Sequence, residues 1–289
     1  MIPLLIGGAV LWGLDTNEKI NRANSFNAQA AAIAEKSKND VEAVNNNMNK
    51  TLERLGKIEL EIMSNNVEKF VSLMSSIYED FEFRRNLSGL EKLEQMGFRR
   101  KVIEELQAMT TKAVELGSAP EIKEIGNASF GAVGLLGAGA LSIGFEVIAA
   151  PAMLLYTMMK SDEASAAFYE AKTRLDEAYL YEQRCLNLCA LFDAINTRGR
   201  MLNNLLNDLN SYLTPAVNNM SEIVSRLGYG LDDYPEREYL GMYYAYQITN
   251  TVKIIIETPV VQNDWSINPA LDNSIRIGQK NVALLKDVN

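Results

Sequence analysis

The stretch from Asp15 to Phe81 contains no proline, and its apolar residues return at threes and fours: Ile20, Ala23, Phe26 or Asn27, Ala30, Ile33, Val41, Val44, Met48, Leu52, Leu55, Ile58 and Ile62. That spacing places them on one face of a helix. It predicts one or two long helices from about 16 to 84, with Asn45–Asn47 as a weak point or bend. Ser88 in "NLSGLEKL" is an N-cap candidate for a further helix over about 89–117, which "GSAP" stops. The same style returns from Lys160 to Leu227. Its stripe is Ala167, Ala171, Leu175, Ala178, Cys185, Leu188, Phe192 and Ile195, and Pro215 is tolerable in the first turn of a following helix. "LGYGLDDYPERE" reads as a loop, with Pro235 opening a tyrosine-rich helix over about Glu236–Ile256. That helix ends before Pro259, because a residue preceding proline is pushed out of the α region. A weak amphipathic segment follows Pro269. No β–α–β alternation is present. The expected class is all-α, a long-helix bundle. Residues 1–227 are expected to form the bundle, and 228–289 a C-terminal helical extension packing on it.

Ser129–Lys160, "SFGAVGLLGAGALSIGFEVIAAPAMLLYTMMK", departs from this style. Its one acid is Glu146 and its first base is Lys160. Glycine costs a helix roughly 1 kcal/mol relative to alanine, yet Gly131, Gly134, Gly137, Gly139 and Gly144 are crowded together here. In lipid or in tight packing, glycine lets helices approach closely. Gly131, Gly134, Ala138 and Ser142 make one smooth face, with Gly137 and Gly144 beside it. These six residues are the candidate membrane or oligomer face. A single helix over 128–159 would be about 48 Å long, longer than a hydrocarbon core of about 30 Å. Pro151 offers a kink or turn, so the segment is either one central glycine-rich apolar helix or a helical hairpin. An apolar tract also opens the chain, Ile2–Leu14. It lacks a basic leader and is shorter than the roughly 20 residues of a span. Leu4, Leu5, Ile6 and Trp12 are its membrane-anchor candidates; a buried first helix is the other reading.

Composition narrows the functions. The net charge of −9 argues against a nucleic-acid partner, which needs clustered Lys and Arg. There is no histidine, the commonest general base and metal ligand. No enzyme activity, cofactor or metal is therefore expected. Cys185 and Cys189 share a helix face and read as small core residues in a reducing compartment; a redox pair suits an intact helix poorly. Gly137–Ser142 only begins like a dinucleotide fingerprint and follows no strand. The triplets Phe83–Arg85 and Phe98–Arg100 read as a solvated basic edge, or as a contact for anionic headgroups. The acids Asp232, Asp233, Glu236 and Glu238 read as a solvated loop and helix start, or as a loose divalent-cation site.

Three pieces together, "IPLLIGGAVLWG", the central glycine-rich stretch and "TVKIIIETPVVQNDW", resemble a group of bacterial glycine-zipper proteins. The resemblance implies bacterial origin and cytoplasmic synthesis, and brings no catalytic residues. The layout alone, an apolar element in mid-chain between long helices, is similar to helical pore-forming toxins of the cytolysin A type. The sequence thus leads to a membrane-interacting helical protein. In that reading it is an oligomerising pore former or membrane effector that uses 128–159, is cytoplasmic, and associates with membrane conditionally. Its partners are then membrane lipid and further copies of itself. The alternative is a soluble helical scaffold that keeps the apolar segment buried and binds a protein partner.

Overall fold

The computed structural model describes residues 16–84, 91, 93–95, 97–118, 164–230, 234–262 and 266–288. The protein is all-α. Its helices are α1 (Thr16–Ile62), α2 (Glu68–Arg84), α3 (Arg100–Ser118), α4 (Ala164–Leu227), α5 (Glu236–Ile256) and α6 (Leu271–Val288). A π-helical turn, Met63–Val67, joins α1 to α2. Among the described residues the only β pairing is an isolated bridge between Val261 and Ile267.

The chain divides into two compact units, and α1 and α4 contribute to both. The described part of the first unit is Thr16–Asn46 with Ala164–Asp193. Here the two helices run parallel. Phe26 lies 5.6 Å from Phe168, ring centre to ring centre. Asn27 accepts a hydrogen bond from Arg174 at 3.4 Å. One turn on, Ala30 packs with Leu175 and Ala178, flanked by Phe26 and Ile33. Alanine suits this seam because a small side chain lets two backbones approach. Burial along α1 follows Ala23, Ala30, Ala34, Ser37 and Val41, close to the predicted stripe, although Ile20 is exposed. Cys185 is buried and Cys189 half-buried, and both are free thiols. Burial pushes both thiols up, which disfavours the thiolate that redox chemistry needs.

The second unit runs from Asn47 through α3 and from Ala194 to the C-terminal helix. The parallel pairing of α1 with α4 is repeated inside it. Thr51 bonds Asn196, and Asn66 bonds Asn210, so partner numbers rise together. Burial on α4 recurs at sevens through Cys185, Phe192, Gly199, Leu206, Leu213 and Met220, with Asn196, Asn203, Val217 and Val224 each four residues further on. This 3.5-residue period is that of a left-handed supercoil seam. Gly199 belongs to the seam: a Cβ there would lie 2.9 Å from the Thr51 methyl. The π-turn also has a mechanical reason. On one continuous α-helix, the buried faces before and after it would be offset by about a quarter turn. The wider turn takes up that offset, so Val67, Phe70, Met74, Ile77 and Phe81 stay in the core.

The π-turn and α2 pack on α3, α2 also meets α5, and α5 packs on α6. Phe98 sits 4.8 Å from the Tyr246 ring and 5.8 Å from the Tyr243 ring. Lys253, only 8% exposed, is held by Glu105 at 2.9 Å and Glu257 at 2.7 Å.

Several expectations need correction. The α-helical assignment of α1 runs without interruption through Asn45–Asn47. The helix expected over about 89–117 is interrupted: Gly97 adopts φ +89°, and α3 begins at Arg100. Pro215 lies inside α4, well beyond any first turn. It is tolerated because both Pro215 and Ser211, whose carbonyl it leaves without a helical donor, face solvent. Of the two basic triplets, Phe83 is 89% exposed, whereas Phe98 is fully buried and only the arginines beside it, Arg99 and Arg100, are exposed.

A candidate polar groove on the long helices

The residues singled out in the sequence as a membrane or oligomer face (Gly131, Gly134, Gly137, Ala138, Ser142 and Gly144) lie outside the described residues. So do the anchor candidates Leu4, Leu5, Ile6 and Trp12. No helix among the described residues is long and apolar enough to cross a membrane. No cluster of metal-ligating side chains occurs among them either. Within the acidic loop, Asp232 and Asp233 also lie outside them, and Glu238 pairs with Arg226 at 2.6 Å.

What the described helices do bring together is an amide-lined seam that the sequence reading did not identify. It is built by the same periodicity that builds the core. Asn196, Asn203, Asn207, Asn210, Thr214 and Asn218 recur on α4 at sevens, fours and threes, and so share a face. The opposing side is α1, the π-turn and α2. Thr51 donates its hydroxyl to Asn196 Oδ1 at 2.6 Å. The Asn203 amide donates to the Thr51 carbonyl at 3.2 Å. Asn66, in the π-turn, donates to Asn210 at 2.7 Å and to Thr214 at 2.9 Å. Lys69 donates to Asn218 at 2.9 Å. A buried amide between helices costs stability unless it is hydrogen-bonded, and these pairings also fix the register of α1 against α4. The sequence signal was present as the asparagine spacing in "INTRGRMLNNLLNDLNSYLTPAVNN".

Beside this seam a groove of about 500 Å3 opens between α1 and α4. On α1 it is bordered by Arg54, Lys57 and Ile58, at i, i+3 and i+4; on α4 by Arg200, Asn203, Asn204 and Asn207, at i, i+3, i+4 and i+7. Its border carries three cations and no carboxylate, on a chain with nine more acidic than basic residues. Lys57 pairs with Glu53 on the same helix. A second, mostly apolar cavity of about 220 Å3 lies between α4, α5 and α6. Asn281 donates to Thr251 at its edge, at 2.7 Å. Glu59, also on α1, is 5% exposed, and burial pushes its carboxyl up to about 8.

Comparison with protein-family models, with curated proteins and with solved structures gives no match. The fold and the groove therefore define the protein only as an all-α bundle with a parallel long-helix pair.

Proposed function

We propose that this is a membrane-engaging helical protein of glycine-zipper type, acting as an oligomer, whose 128–159 tract forms the lipid- and self-associating element. One observation supports the reading: the parallel direction of α1 and α4 in the first unit. In sequence, the apolar tract Ile2–Leu14 directly precedes α1, and the apolar tract ending at Met159 directly precedes α4. Because the two helices begin side by side, both tracts join the pair at one end. An antiparallel pair would have attached them at opposite ends. Burial of two apolar tracts in lipid would supply about 25 cal/mol per Å2 removed from water, concentrated at one place.

A soluble scaffold with a protein partner is the second reading. It draws on Tyr169, Tyr179, Leu180 and Leu186, which are exposed on α4 in the first unit. Vesicle flotation of the purified chain separates the two. The membrane reading expects flotation, dye leakage, and loss of leakage in Gly134→Leu without unfolding. A chain that stays in the aqueous fraction, as a stable species with no leakage, leaves the scaffold.

A further inference from the structure

We propose that the cavity between α4, α5 and α6 is a binding site for a small neutral aromatic molecule that carries one hydrogen-bond donor, such as an indole or a phenol. The site lies wholly within the second unit, and the proposal does not rest on the membrane reading. Packing next to the cavity is tight. A Cβ on Gly278 of α6 would lie 2.6 Å from Leu205 on α4 and 2.9 Å from Ile255 on α5. One turn along each helix, at Leu209, Thr251 and Asn281, the same three helices leave about 220 Å3 unfilled. The void is therefore not the mark of a loosely docked helix. An apolar cavity of about 150 Å3 is enough to take up benzene.

The lining decides the chemistry. Leu209, Ile248, Leu284 and Leu285 make the wall mostly apolar, and Tyr244 adds an aromatic side chain. Water would find partners only at the polar edge, whereas a buried water typically makes about three hydrogen bonds. None of the described residues that line the cavity is charged, so an ionised ligand would lose its hydration without a counter-charge. The polar edge selects further. Thr251 donates its hydroxyl to the Gln247 carbonyl at 2.8 Å and accepts from the Asn281 amide at 2.7 Å. Turning the Asn281 amide over would set its oxygen against a Thr251 oxygen whose proton is already given to Gln247. The nitrogen end of Asn281 is thus held by Thr251, and the oxygen end, an acceptor, is the one left for a ligand. Asn281 is half-buried at the border of the cavity. A ring N–H or O–H suits that oxygen; an ether, a ketone or a hydrocarbon has no proton to give it.

The test is titration calorimetry of the full chain with indole and with 1-methylindole, which keeps the ring system and lacks the N–H. Ile248→Phe and Leu284→Trp each put a larger side chain at the cavity, the first from the α5 wall and the second from α6. Leu284 is 54% exposed, so L284W keeps the fold even where I248F strains it. Saturable binding of indole, weakened roughly tenfold or more in both variants, is the expected result. 1-Methylindole should bind about fivefold more weakly than indole, the effect of one lost hydrogen bond. Asn281→Leu should abolish that difference. Indole that binds both enlarged variants as it binds the wild type sits elsewhere on the chain, which overturns the assignment. So does 1-methylindole binding the wild type as tightly as indole, or the absence of saturable binding. The membrane reading is tested with vesicles and Gly134→Leu, so the two ideas fail separately.

Discussion

Glu59 occupies a position on α1 where Leu55, Ile62 and Met63, its neighbours one turn either side, are fully buried. Desolvation disfavours the charged form of a carboxyl, and here it holds the group up to about 8. The consequence for stability has a definite sign. Above its ordinary range of about 4–5 the unfolded chain gives up this proton, while the folded chain keeps it until near pH 8. Between those values the folded state binds more protons, so this group makes stability fall as pH rises, and the loss levels off above pH 8. Glu59→Gln removes the titration while keeping the shape. Urea denaturation should therefore show little difference from wild type near pH 5. Near pH 9 the variant should be the more stable, by roughly 3–5 kcal/mol. Equal gains at both pH values would show that Glu59 is charged in the native protein.

At the scale of elements, the π-turn behaves as a one-residue insertion in a long helix, and that can be tested by removing it. Asn65 is exposed in the turn. Deleting it should convert the turn to regular α-helix while Phe70, Met74, Ile77 and Phe81 keep facing the core. The penalty should be confined to the hydrogen bonds of Asn66 to Asn210 and Thr214. Deleting the exposed Ser72 in α2 instead rotates every following residue by about 100°, which turns Met74, Ile77 and Phe81 out of the core. Thermal unfolding followed by circular dichroism should give a modest loss for the first deletion and collapse of the transition for the second. Comparable losses would contradict the insertion account.

This contrast also marks what the sequence could reveal. α5 was legible to within a residue because Pro235 and Pro259 bracket it, and the alanine stripe of α1 was legible from its period alone. The interior Pro215 was not, since its tolerance depends on which side of α4 faces solvent, a tertiary fact. The polar groove was hidden for a related reason. Asparagines and arginines read as ordinary surface residues until the partner helix shows that Asn203 is enclosed and that Arg54 and Arg200 share one opening. The direction of α1 relative to α4 left no mark on either stripe, because a heptad seam serves parallel and antiparallel pairs alike.

At the scale of the whole molecule, the arrangement links apolar tracts to paired helix starts, and tryptophan can report on it. The chain has two tryptophans, Trp12 and Trp265. In a Trp265→Phe background, Trp12 becomes the only indole, and indoles favour the membrane interface. Adding phosphatidylcholine vesicles should shift its emission to shorter wavelength and shield it from iodide. An emission typical of hydrated indole, unchanged by vesicles, would remove Ile2–Leu14 from the proposed membrane-engaging element.

The parallel pairing of α1 with α4 also bears on synthesis. The partners are far apart along the chain: Thr51 and Asn196 are separated by 145 residues, and Asn66 and Asn210 by 144. At typical elongation rates of about 5–20 residues per second, roughly 7–30 s pass between the appearance of a residue of α1 and that of its partner. Throughout that interval the nascent α1 has its seam of Ala23, Ala30, Ala34 and Val41 bare. The low hydrophobicity of this N-terminal half of the stripe, weak as a source of packing energy, limits the apolar surface that α1 leaves bare while its mate is made; the Leu- and Ile-rich half, Met48 to Ile62, carries most of it.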